Sequence, residues 1–427
     1  MHAACYHTRA LRYFKATIIC ALSAFVVAVA LYELGAFRAL DAKLAAFMAW
    51  PGAPQTSRGG QYALALLLSL GIAWAAIDIA RPALKSVIAA ATLVEIFVAV
   101  WVSSVSGDFF SPFASATAVT TAFLLGLAFS RTEAGRRKAM LHQLIGDRVS
   151  TQNFAALLDS GEPLKFDGEI RECTVLVCEI FNHDQLLASL RVPDYVGMTN
   201  VFLRSASDLL VERGAYLDEC DGESLRAVFG APLPDPRHAT NACQAALALA
   251  TRLDVVNREC QDQWGHRFDF RIGINSGDMV MAAYGSARLG SFSVAGEPVE
   301  FARRLCAANT LYGSRILIGN GSFVLAEAGI EVRPMELIQR HPDNPSREEV
   351  YELAGMQDDF SPEDRARRDE FWKGVVFYRE QKWDDALTAF KLAVELGGGD
   401  EPAEYYIRRI AQIRAGVPAP DWANSRA

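Results

Sequence analysis

The chain has 427 residues, of which 51% are hydrophobic, and a formal net charge of −8 at pH 7. Its length predicts two or three domains, and its mild acidity excludes the basic footprint of a nucleic-acid-binding protein. Eight cysteines without paired spacing exclude a disulfide framework and a zinc site, and are typical of reduced, mostly buried thiols.

The first 130 residues contain four apolar runs, each close to the roughly 20 residues that a helix needs to cross a bilayer. The runs are Ala16–Tyr32, Tyr62–Ile79, Ser86–Ser106 and Ala114–Ser130. Buried helices of a soluble protein are the alternative, but four such runs in succession favour a transmembrane region over residues 1–130. No small-residue cleavage site follows the first run, so we expect an uncleaved anchor rather than a signal peptide.

Basic residues beside these runs predict the topology. Nine Lys and Arg residues lie before the first run, between the second and third and after the fourth, whereas three lie in the opposite loops. The positive-inside rule therefore predicts a multi-pass protein of the inner (plasma) membrane with both termini in the cytoplasm. Glu95 lies in the middle of the third run. An intramembrane carboxylate indicates a functional site, and the alternative is a protonated or hydrogen-bonded Glu between packed helices.

Residues 131–168 form a predicted linker whose central stretch, Thr132–Leu158, is amphipathic at helical spacing. Such a stretch packs on its own domain or enters a dimer as a signalling helix, and both arrangements are open. We expect a break at Gly146 and Asp147, with Ser150 capping the helix that follows.

From residue 169 to 355, short apolar strands alternate with helical stretches, which predicts an α+β domain with helices packed against a sheet. Strands are expected at Cys173–Ile180, Tyr216–Asp218, Leu225–Phe229, Phe268–Ile274, Met279–Ala283, Ser291–Val294, Ile316–Ile318 and Val350–Leu353. Helices are expected at Asp194–Glu212, Pro236–Gln263 and Val299–Asn309.

Four short signatures follow one another in this domain. An apolar run ends in a carboxylate at Glu179, and a turn places Glu223 directly after Gly222. The third and fourth signatures, Arg271–Gly277 and Phe292–Leu305, come after helical spacers. Their order and spacing resemble those in the catalytic domain of the class III adenylate and guanylate cyclases. The helices before the domain also resemble the membrane layout of bacterial members with a CHASE2 sensor, here with the sensor nearly absent.

The resemblance implies a ferredoxin-like βαββαβ sheet with added strands and a site for two Mg²⁺ or Mn²⁺ ions. In the family, two strand-end aspartates hold ions that bind the triphosphate and activate the ribose 3′-hydroxyl for in-line attack on the α-phosphate. The matching positions here are Glu179 and Glu223, which keep the carboxylate but are one methylene longer. His183 follows in the segment that lines the phosphate site, where we expect a surface histidine rather than a base.

Other family positions select the base and stabilise the transition state. Glu219 matches a position that is Lys in adenylate cyclases and Glu in guanylate cyclases, which argues against adenine; a drifted, non-selective Glu is the alternative. Ser293 is its partner position. Arg304 matches the Arg that stabilises phosphate charge, and Glu300, on the same helix face, replaces the Asn that orients the ribose. Arg340 matches a basic residue that binds phosphate.

Residues 362–415 are predicted to form a helical tail, in which Phe371–Leu396 resembles one tetratricopeptide hairpin and Glu404–Ala415 is a further amphipathic helix. Residues 416–427 are expected to be extended. A single repeat cannot build a solenoid, so we expect the tail to pack on the cyclase-like domain or on a dimer partner.

The leading interpretation is a membrane-bound cyclase that converts ATP or GTP into a 3′,5′-cyclic nucleotide and pyrophosphate. The alternative is a catalytically silent regulator that binds nucleotide or a partner cyclase, because Glu179, Glu223 and Glu300 depart from the family pattern. Family sites form between two chains, one contributing the metal ligands and the other the selector, Asn and Arg. We therefore expect a homodimer, or a heterodimer with another cyclase, and no nucleic-acid partner.

Overall fold

The computed structural model describes residues 11–48, 50, 58–79, 81–105, 110–132, 140–160, 168–285, 290–339 and 347–417. The chain forms two compact units. The N-terminal unit comprises Met1–Gln143 and Ala155–Glu162, and the C-terminal unit comprises Leu144–Phe154 and Pro163–Ala427. Arg340, residues 418–427 and part of the predicted linker helix lie outside the described residues.

The N-terminal unit contains helices α1 (Leu11–Glu33), α2 (Arg38–Phe47), α3 (Arg58–Asp78), α4 (Pro82–Val105) and α5 (Pro112–Ser130). Four of them, α1, α3, α4 and α5, are long and apolar enough to cross a membrane, which confirms the four predicted apolar helices. The sequence predicted only a loop where α2 lies. This helix buries Asp41 and Ala45, which are one turn apart on one face.

Small residues allow the helices of this unit to approach closely. A Cβ atom built on Gly126 of α5 would lie 2.5 Å from the Cβ of Ala76 on α3. One apolar cluster includes the fully buried residues Ala21, Ala24, Ala73 and Ala122. Contacts between small side chains are typical of helix packing in membranes.

One cluster of buried polar side chains in this unit surrounds Ser111. Gln61 Nε2 donates to Ser111 O at 3.0 Å and to Ser115 Oγ at 3.2 Å. Ser111 Oγ in turn donates to Asp41 Oδ1 at 2.9 Å. Glu95, by contrast, is exposed on α4. The interpretation of Glu95 as a residue between packed helices is therefore wrong within a single chain, because its side of α4 faces outward.

The linker has the break that the sequence predicted. A single 3₁₀ turn at Gly146–Arg148 precedes helix α6 (Thr151–Asp159). Ser150 Oγ accepts a hydrogen bond from Asn153 N at 3.2 Å, so this serine caps α6 as expected.

The C-terminal unit is an α+β structure. Its strands are β1 (Glu169–Ile180), β2 (Tyr216–Cys220), β3 (Ser224–Phe229), β4 (Phe270–Tyr284), β5 (Ser291–Ala295), β6 (Ile316–Gly319), β7 (Ile330–Gln339) and β8 (Arg347–Met356). Its helices are α7 (His183–Ser189), α8 (Val192–Glu212), α9 (His238–Trp264), α10 (Glu297–Tyr312), α11 (Asn320–Ala326), α12 (Pro362–Arg379), α13 (Trp383–Gly397) and α14 (Glu401–Arg414).

The sheet has the strand order β2-β3-β1-β4-β6-β8-β7, with β5 paired to the far half of β4. β1 is antiparallel to both β3 and β4, and β4 is parallel to β6. The order β1-α8-β2-β3-α9-β4 along the chain, with β1 between β3 and β4, is the ferredoxin-like βαββαβ arrangement. The predicted fold class is confirmed.

Two strand predictions were wrong. The sequence predicted separate strands at Phe268–Ile274 and Met279–Ala283, but β4 runs unbroken because Gly277 stays in register opposite Cys173 of the long β1. Strand β7 was not predicted because Pro334 and three charged residues interrupt its apolar pattern. Proline is tolerated there because β7 is an edge strand that pairs only with β8.

The two faces of the sheet are covered differently. Leu176, Cys178 and Ile180 of β1 belong to the large core that α8 and α9 complete. The intervening residues of β1 point to the opposite face. There α10 lies so close to β4 that a Cβ atom on Gly273 would be 2.1 Å from the Ala302 carbonyl oxygen. This close approach places the residues after Ala302 above the end of β1 that carries Glu179.

The C-terminal helices pack on the cyclase-like domain, one of the two predicted locations. Phe371, Phe390 and Tyr406 form one core with Phe301 and Tyr312 of α10. The rings of Phe390 and Tyr406 stack with centroids 4.9 Å apart. The C-terminal helices therefore pack directly against α10. Its likeness to a tetratricopeptide hairpin stays a prediction.

Candidate functional site

Two predicted metal-binding carboxylates lie side by side. Glu179 near the end of β1 pairs in register with Ser224 at the start of β3. Ile180 N donates to Glu223 O at 2.9 Å, which joins the two segments by a backbone hydrogen bond. Asp221 Oδ1 accepts from Glu223 N at 3.0 Å and from Ser224 N at 2.8 Å, which holds the turn. The backbone thus brings Glu179 and Glu223 to the same edge of the sheet.

This edge carries an excess of negative charge. Burial raises the pKa of Glu179, and the neighbouring charges of Asp221, Glu223 and Glu219 raise it further, whereas Arg303 lowers it. Burial also acts to raise the pKa of Asp221, but the backbone N–H groups in the turn outweigh it, and the net shift is downward. Clustered carboxylates of this kind attract a cation.

His183 has a closer relation to this edge than the sequence predicted. Its Nε2 atom lies 3.2 Å from Asp184 Oδ1 and 3.5 Å from Glu223 Oε2. Its Nδ1 atom lies 3.4 Å from the Ile180 carbonyl oxygen. The ring is 30% exposed and so lies at the surface, as expected, and the first turn of α7 directs it toward Glu223.

The two predicted base-selecting residues meet at a second cluster. Glu219 Oε2 lies 2.9 Å from Arg226 Nη1 and 2.7 Å from Arg303 Nη2. Arg226 Nε also donates to the buried Asp218 at 2.6 Å. Burial raises the pKa of Asp218, while Arg226 and a hydrogen bond from the Ser293 hydroxyl lower it. Ser293 thus contacts Asp218, the residue before Glu219, and the role of Ser293 and Glu219 in selecting the base stays a prediction.

The predicted transition-state pair occupies the outer face of α10. Arg304 and Glu300 are one turn apart, and both are exposed. Within the described part of the chain, the ion pair of Arg304 is with Glu297, at 3.4 Å. Its guanidinium also lies 5.2 Å from the centre of the Phe301 ring. The predicted phosphate-binding residue, Arg340, lies outside the described residues.

Three charged residues of this region were missed by sequence reasoning: Asp218, Arg226 and Arg303. Arg226 was detectable in principle, because a charged residue in the apolar strand Leu225–Phe229 needs a buried partner. Arg303 was hidden by its neighbour Arg304, which matches the family position. Which of the two arginines reaches across the sheet depends on the rotation of α10.

The residues present fit a divalent cation. Glu179 and Glu223 supply hard carboxylate oxygens, and Mg²⁺ is usually bound by one or two carboxylates together with water and substrate phosphate. Among the described residues no cluster of three or more His, Cys, Asp or Glu side chains forms a complete metal cage. To hold such an ion, Glu179 and Glu223 would therefore need further ligands from a substrate or solvent.

Residues 167–323 match the family model of the adenylate and guanylate cyclase catalytic domain. Adenylate cyclase 1 of Rhizobium meliloti is 24% identical over 186 residues, which are 44% of this chain and 28% of that protein. An uncharacterised protein of Mycobacterium tuberculosis is 31% identical over 192 residues, or 44% of this chain and 32% of its own length. The chain thus spans a third or less of these relatives.

A solved structure, the adenylyl cyclase CyaB from P. aeruginosa, aligns with 45% of this chain and 99% of its own, at 20% identity and a TM-score of 0.41. The family-model match covers the strand-end carboxylates, the Glu219 cluster and the outer face of α10. The domain that contains them belongs to the class III adenylate and guanylate cyclase family.

Proposed function

We propose that the protein is a membrane-anchored nucleotide cyclase that converts ATP or GTP into a 3′,5′-cyclic nucleotide and pyrophosphate. The observation that carries this proposal is the adjacency of Glu179 and Glu223 at the edge of the sheet. Both positions keep a carboxylate, although burial raises the pKa of Glu179 and so disfavours its ionised form.

In this proposal Glu179 and Glu223 hold one or two divalent ions, Mg²⁺ or Mn²⁺. Bound there, such an ion neutralises phosphate charge and acidifies the ribose 3′-hydroxyl. The 3′-oxygen forms a bond to the α-phosphorus, and the bond from that phosphorus to the oxygen bridging to the β-phosphate breaks, which releases pyrophosphate. Arg304 supplies positive charge to the phosphates from the outer face of α10.

Glu219 and Ser293 supply the base contacts. The two arginines bonded to Glu219 fix its direction, and its carboxylate oxygens can accept hydrogen bonds from the guanine N–H groups. This favours GTP over ATP. We expect Glu219, Glu300 and Arg304 to act on a nucleotide that is bound at Glu179 and Glu223 of another chain. The active unit is therefore a homodimer or a heterodimer with a second cyclase.

The four apolar helices and the distribution of Lys and Arg support a multi-pass protein of the plasma membrane with both termini in the cytoplasm. Reporter fusions after Ala427 test this topology: an enzyme reporter that is active only in the cytoplasm should be active there. Activity of an export-dependent reporter at that position would reject it.

The test of function uses the full chain, purified in detergent, with ATP or GTP and with Mg²⁺ or Mn²⁺. Mass spectrometry of the products should detect a cyclic nucleotide, with GTP the better substrate, and none in a Glu179→Gln, Glu223→Gln double variant. A second candidate function is a silent regulator of another cyclase, which the anion Glu300 beside Arg304 favours. Nucleotide binding without cyclic product under all four conditions would support that candidate instead.

A further inference from the structure

Glu95 lies in the middle of α4, on the side of the helix that faces away from the rest of its unit. Its side chain is exposed, and among the described residues its carboxylate has no ion pair or hydrogen bond. A carboxylate within a membrane is costly, and such groups are normally paired or turned toward a protein interior. The described part of a single chain offers Glu95 neither, so a group outside the chain has to cover it.

Glu95 is also too deep for its side chain to reach water at either end of the helix. The membrane-spanning part of α4 extends from Pro82 to Ser103. With a rise of about 1.5 Å per residue, Glu95 lies roughly 12 Å from Ser103 and roughly 20 Å from Pro82 along the helix axis. Long Lys and Arg side chains reach the interface from near a helix end, but the shorter Glu side chain does not do so from this depth. The partner of Glu95 therefore lies within the membrane.

Glu95 belongs to a row of outward-facing residues on α4, which we call the Glu95 seam. The seam consists of Leu84, Ala91, Glu95, Val98 and Val102, all of them exposed in the single chain. Successive members are seven, four, three and four residues apart, which is the heptad spacing by which two helices pack side by side. The small side chain of Ala91, one turn from Glu95, allows a second helix to approach closely at this level.

A neighbouring row on α4 shows that apolar exposure alone does not select the seam. Ala90, Val94 and Phe97 have the same spacing one position earlier in the chain, and they are also exposed. Phe97 packs against Phe113 of α5, with ring centroids 5.9 Å apart, so this row lies nearer to the helices of its own chain. Exposed apolar residues of either row suit lipid, whereas Glu95 does not.

We propose that the Glu95 seam is the contact between the membrane-spanning parts of two copies of this chain, in which the two Glu95 carboxyl groups meet. The inference rests on the proposed function, which places α4 in a membrane and requires two chains. Two copies have the same orientation in the membrane, so a two-fold axis along the membrane normal brings each seam residue against its own copy at the same depth. A protonated carboxyl group donates a hydrogen bond that a second carboxyl group accepts. A polar residue in a heptad seam also fixes the register of the two helices.

The test is oxidation of the full chain by iodine in the membranes of the expressing cells, followed by electrophoresis without reducing agent. Ala91→Cys and Val98→Cys place a thiol on the seam, and Ala90→Cys and Val94→Cys are the matched controls on the neighbouring row. A disulfide needs Cα atoms within about 7 Å of each other, so it distinguishes the two rows. The disulfide-linked dimer should form in the two seam variants and stay at the level of the parent chain, with its native cysteines, in the two controls.

The carboxyl group is tested in the Ala91→Cys chain. Glu95→Leu removes the hydrogen bond and should lower the yield of linked dimer by roughly fivefold, the scale of one polar contact between membrane helices. Glu95→Gln keeps a group that both donates and accepts, and should stay within about twofold of the chain that retains Glu95.

Three outcomes would overturn the proposal: linked dimer in all four cysteine variants alike, linked dimer in neither seam variant, or a yield that Glu95→Leu leaves unchanged. A linked product whose mass is not that of a dimer would assign the seam to a different membrane protein and would overturn it as well.

The two proposals fail separately. If the seam variants form linked dimers but the chain makes no cyclic nucleotide, the proposed function fails and the Glu95 seam stands. If cyclic nucleotide forms but the seam variants stay at the level of the parent chain, the Glu95 seam fails and the proposed function stands.

Discussion

Glu179 lies near the end of β1 and Glu223 in the turn before β3, whereas Glu300 and Arg304 lie on the exposed face of a helix. A backbone hydrogen bond and a fixed register hold the first pair together, so a single chain completes that half of the site. The second pair projects outward, and among the described residues Arg304 pairs with Glu297, seven residues earlier on the same helix. The sheet holds the first pair in place, whereas the second pair faces away from the sheet.

This difference between the strand ends and the helix face indicates which substitutions the site tolerates. At the strand ends the departures from the family pattern keep the charge, because Glu replaces Asp. On the helix face the departure reverses the expected character, because Glu300 places an anion where the family has a neutral amide. Substitutions of Glu179 and Glu223 that remove the charge should therefore cause a severe loss of activity. On the helix face, replacing Glu300 by the family's Asn should instead increase activity.

The largest effect is expected at the strand ends. Replacing both Glu179 and Glu223 by Gln removes the ionised oxygens proposed to hold the metal, and should lower the rate of cyclic nucleotide formation by about 10³-fold or more. The assay is product formation at saturating Mn²⁺ and GTP. The proposed role of the two carboxylates would be contradicted if the double variant kept more than a tenth of the parent rate. Its melting temperature should be the same or higher, which shows that the variant is folded.

The support beneath the base-selecting cluster should be the next most sensitive feature. Arg226→Met would leave Asp218, whose side chain is 0% exposed, without its ionic partner. Breaking a buried pair from one side costs about 3 kcal/mol or more in the free energy of unfolding. Chemical denaturation of the detergent-solubilised chain measures this cost.

The matched variant for this prediction carries both Asp218→Asn and Arg226→Met. It removes the two charges together and should recover part of the loss, because an uncompensated buried charge is the main penalty. If the double variant is as unstable as the single one, the Asp218–Arg226 pair is not the source of the destabilisation.

On the helix face, a substitution should increase activity. Glu300→Asn removes an anion that opposes the charge of Arg304, and should raise the rate by at least about tenfold. Adding Glu179→Asp and Glu223→Asp should raise it further by shortening the metal ligands. Initial rates with GTP and Mn²⁺ test both steps, and a lower rate in Glu300→Asn would mean that this residue already serves catalysis.

The smallest expected effect concerns stability and pH. The pKa of Glu179 is raised in the folded chain, mainly by burial, so its contribution to stability is present below its ordinary pKa. That contribution is lost as the pH rises through the raised value, and at pH 7 the ionised group opposes folding. Without metal, Glu179→Gln should therefore raise the melting temperature at pH 7 by roughly 2 °C and leave it unchanged near pH 4.

Calorimetry of the full chain in metal-free buffer at both pH values provides the measurement. A stabilising effect confined to neutral pH would support the picture of a carboxylate kept for function at a cost to the fold. If Glu179→Gln lowered the melting temperature at pH 7, Arg303 would be compensating Glu179 fully, and the excess negative charge at this edge would be excluded.

The local sequence pattern was sufficient to predict several features of this protein. Four apolar runs of bilayer length specified four apolar helices, because hydrophobic length is a property of the chain alone. The run ending at Glu179 specified a strand end, and the turn at Glu223 specified the hairpin of β2 and β3, because a short turn leaves few choices of register. The pairing of β1 with β3 then brought the two positions together. The Ser150 cap was likewise local, since a cap depends on residues within one turn.

Tertiary structure decided what local pattern could not. Strand β4 stays unbroken through Gly277 because β1 is long enough to pair with it from Phe270 to Met281. Arg303 rather than Arg304 crosses the sheet because the contact of Ala302 with Gly273 sets the rotation of α10. Glu219 is bound by two arginines that lie 7 and 84 positions away in sequence. Charges that meet through packing leave no periodic trace, so no reading of the chain alone could have assigned them.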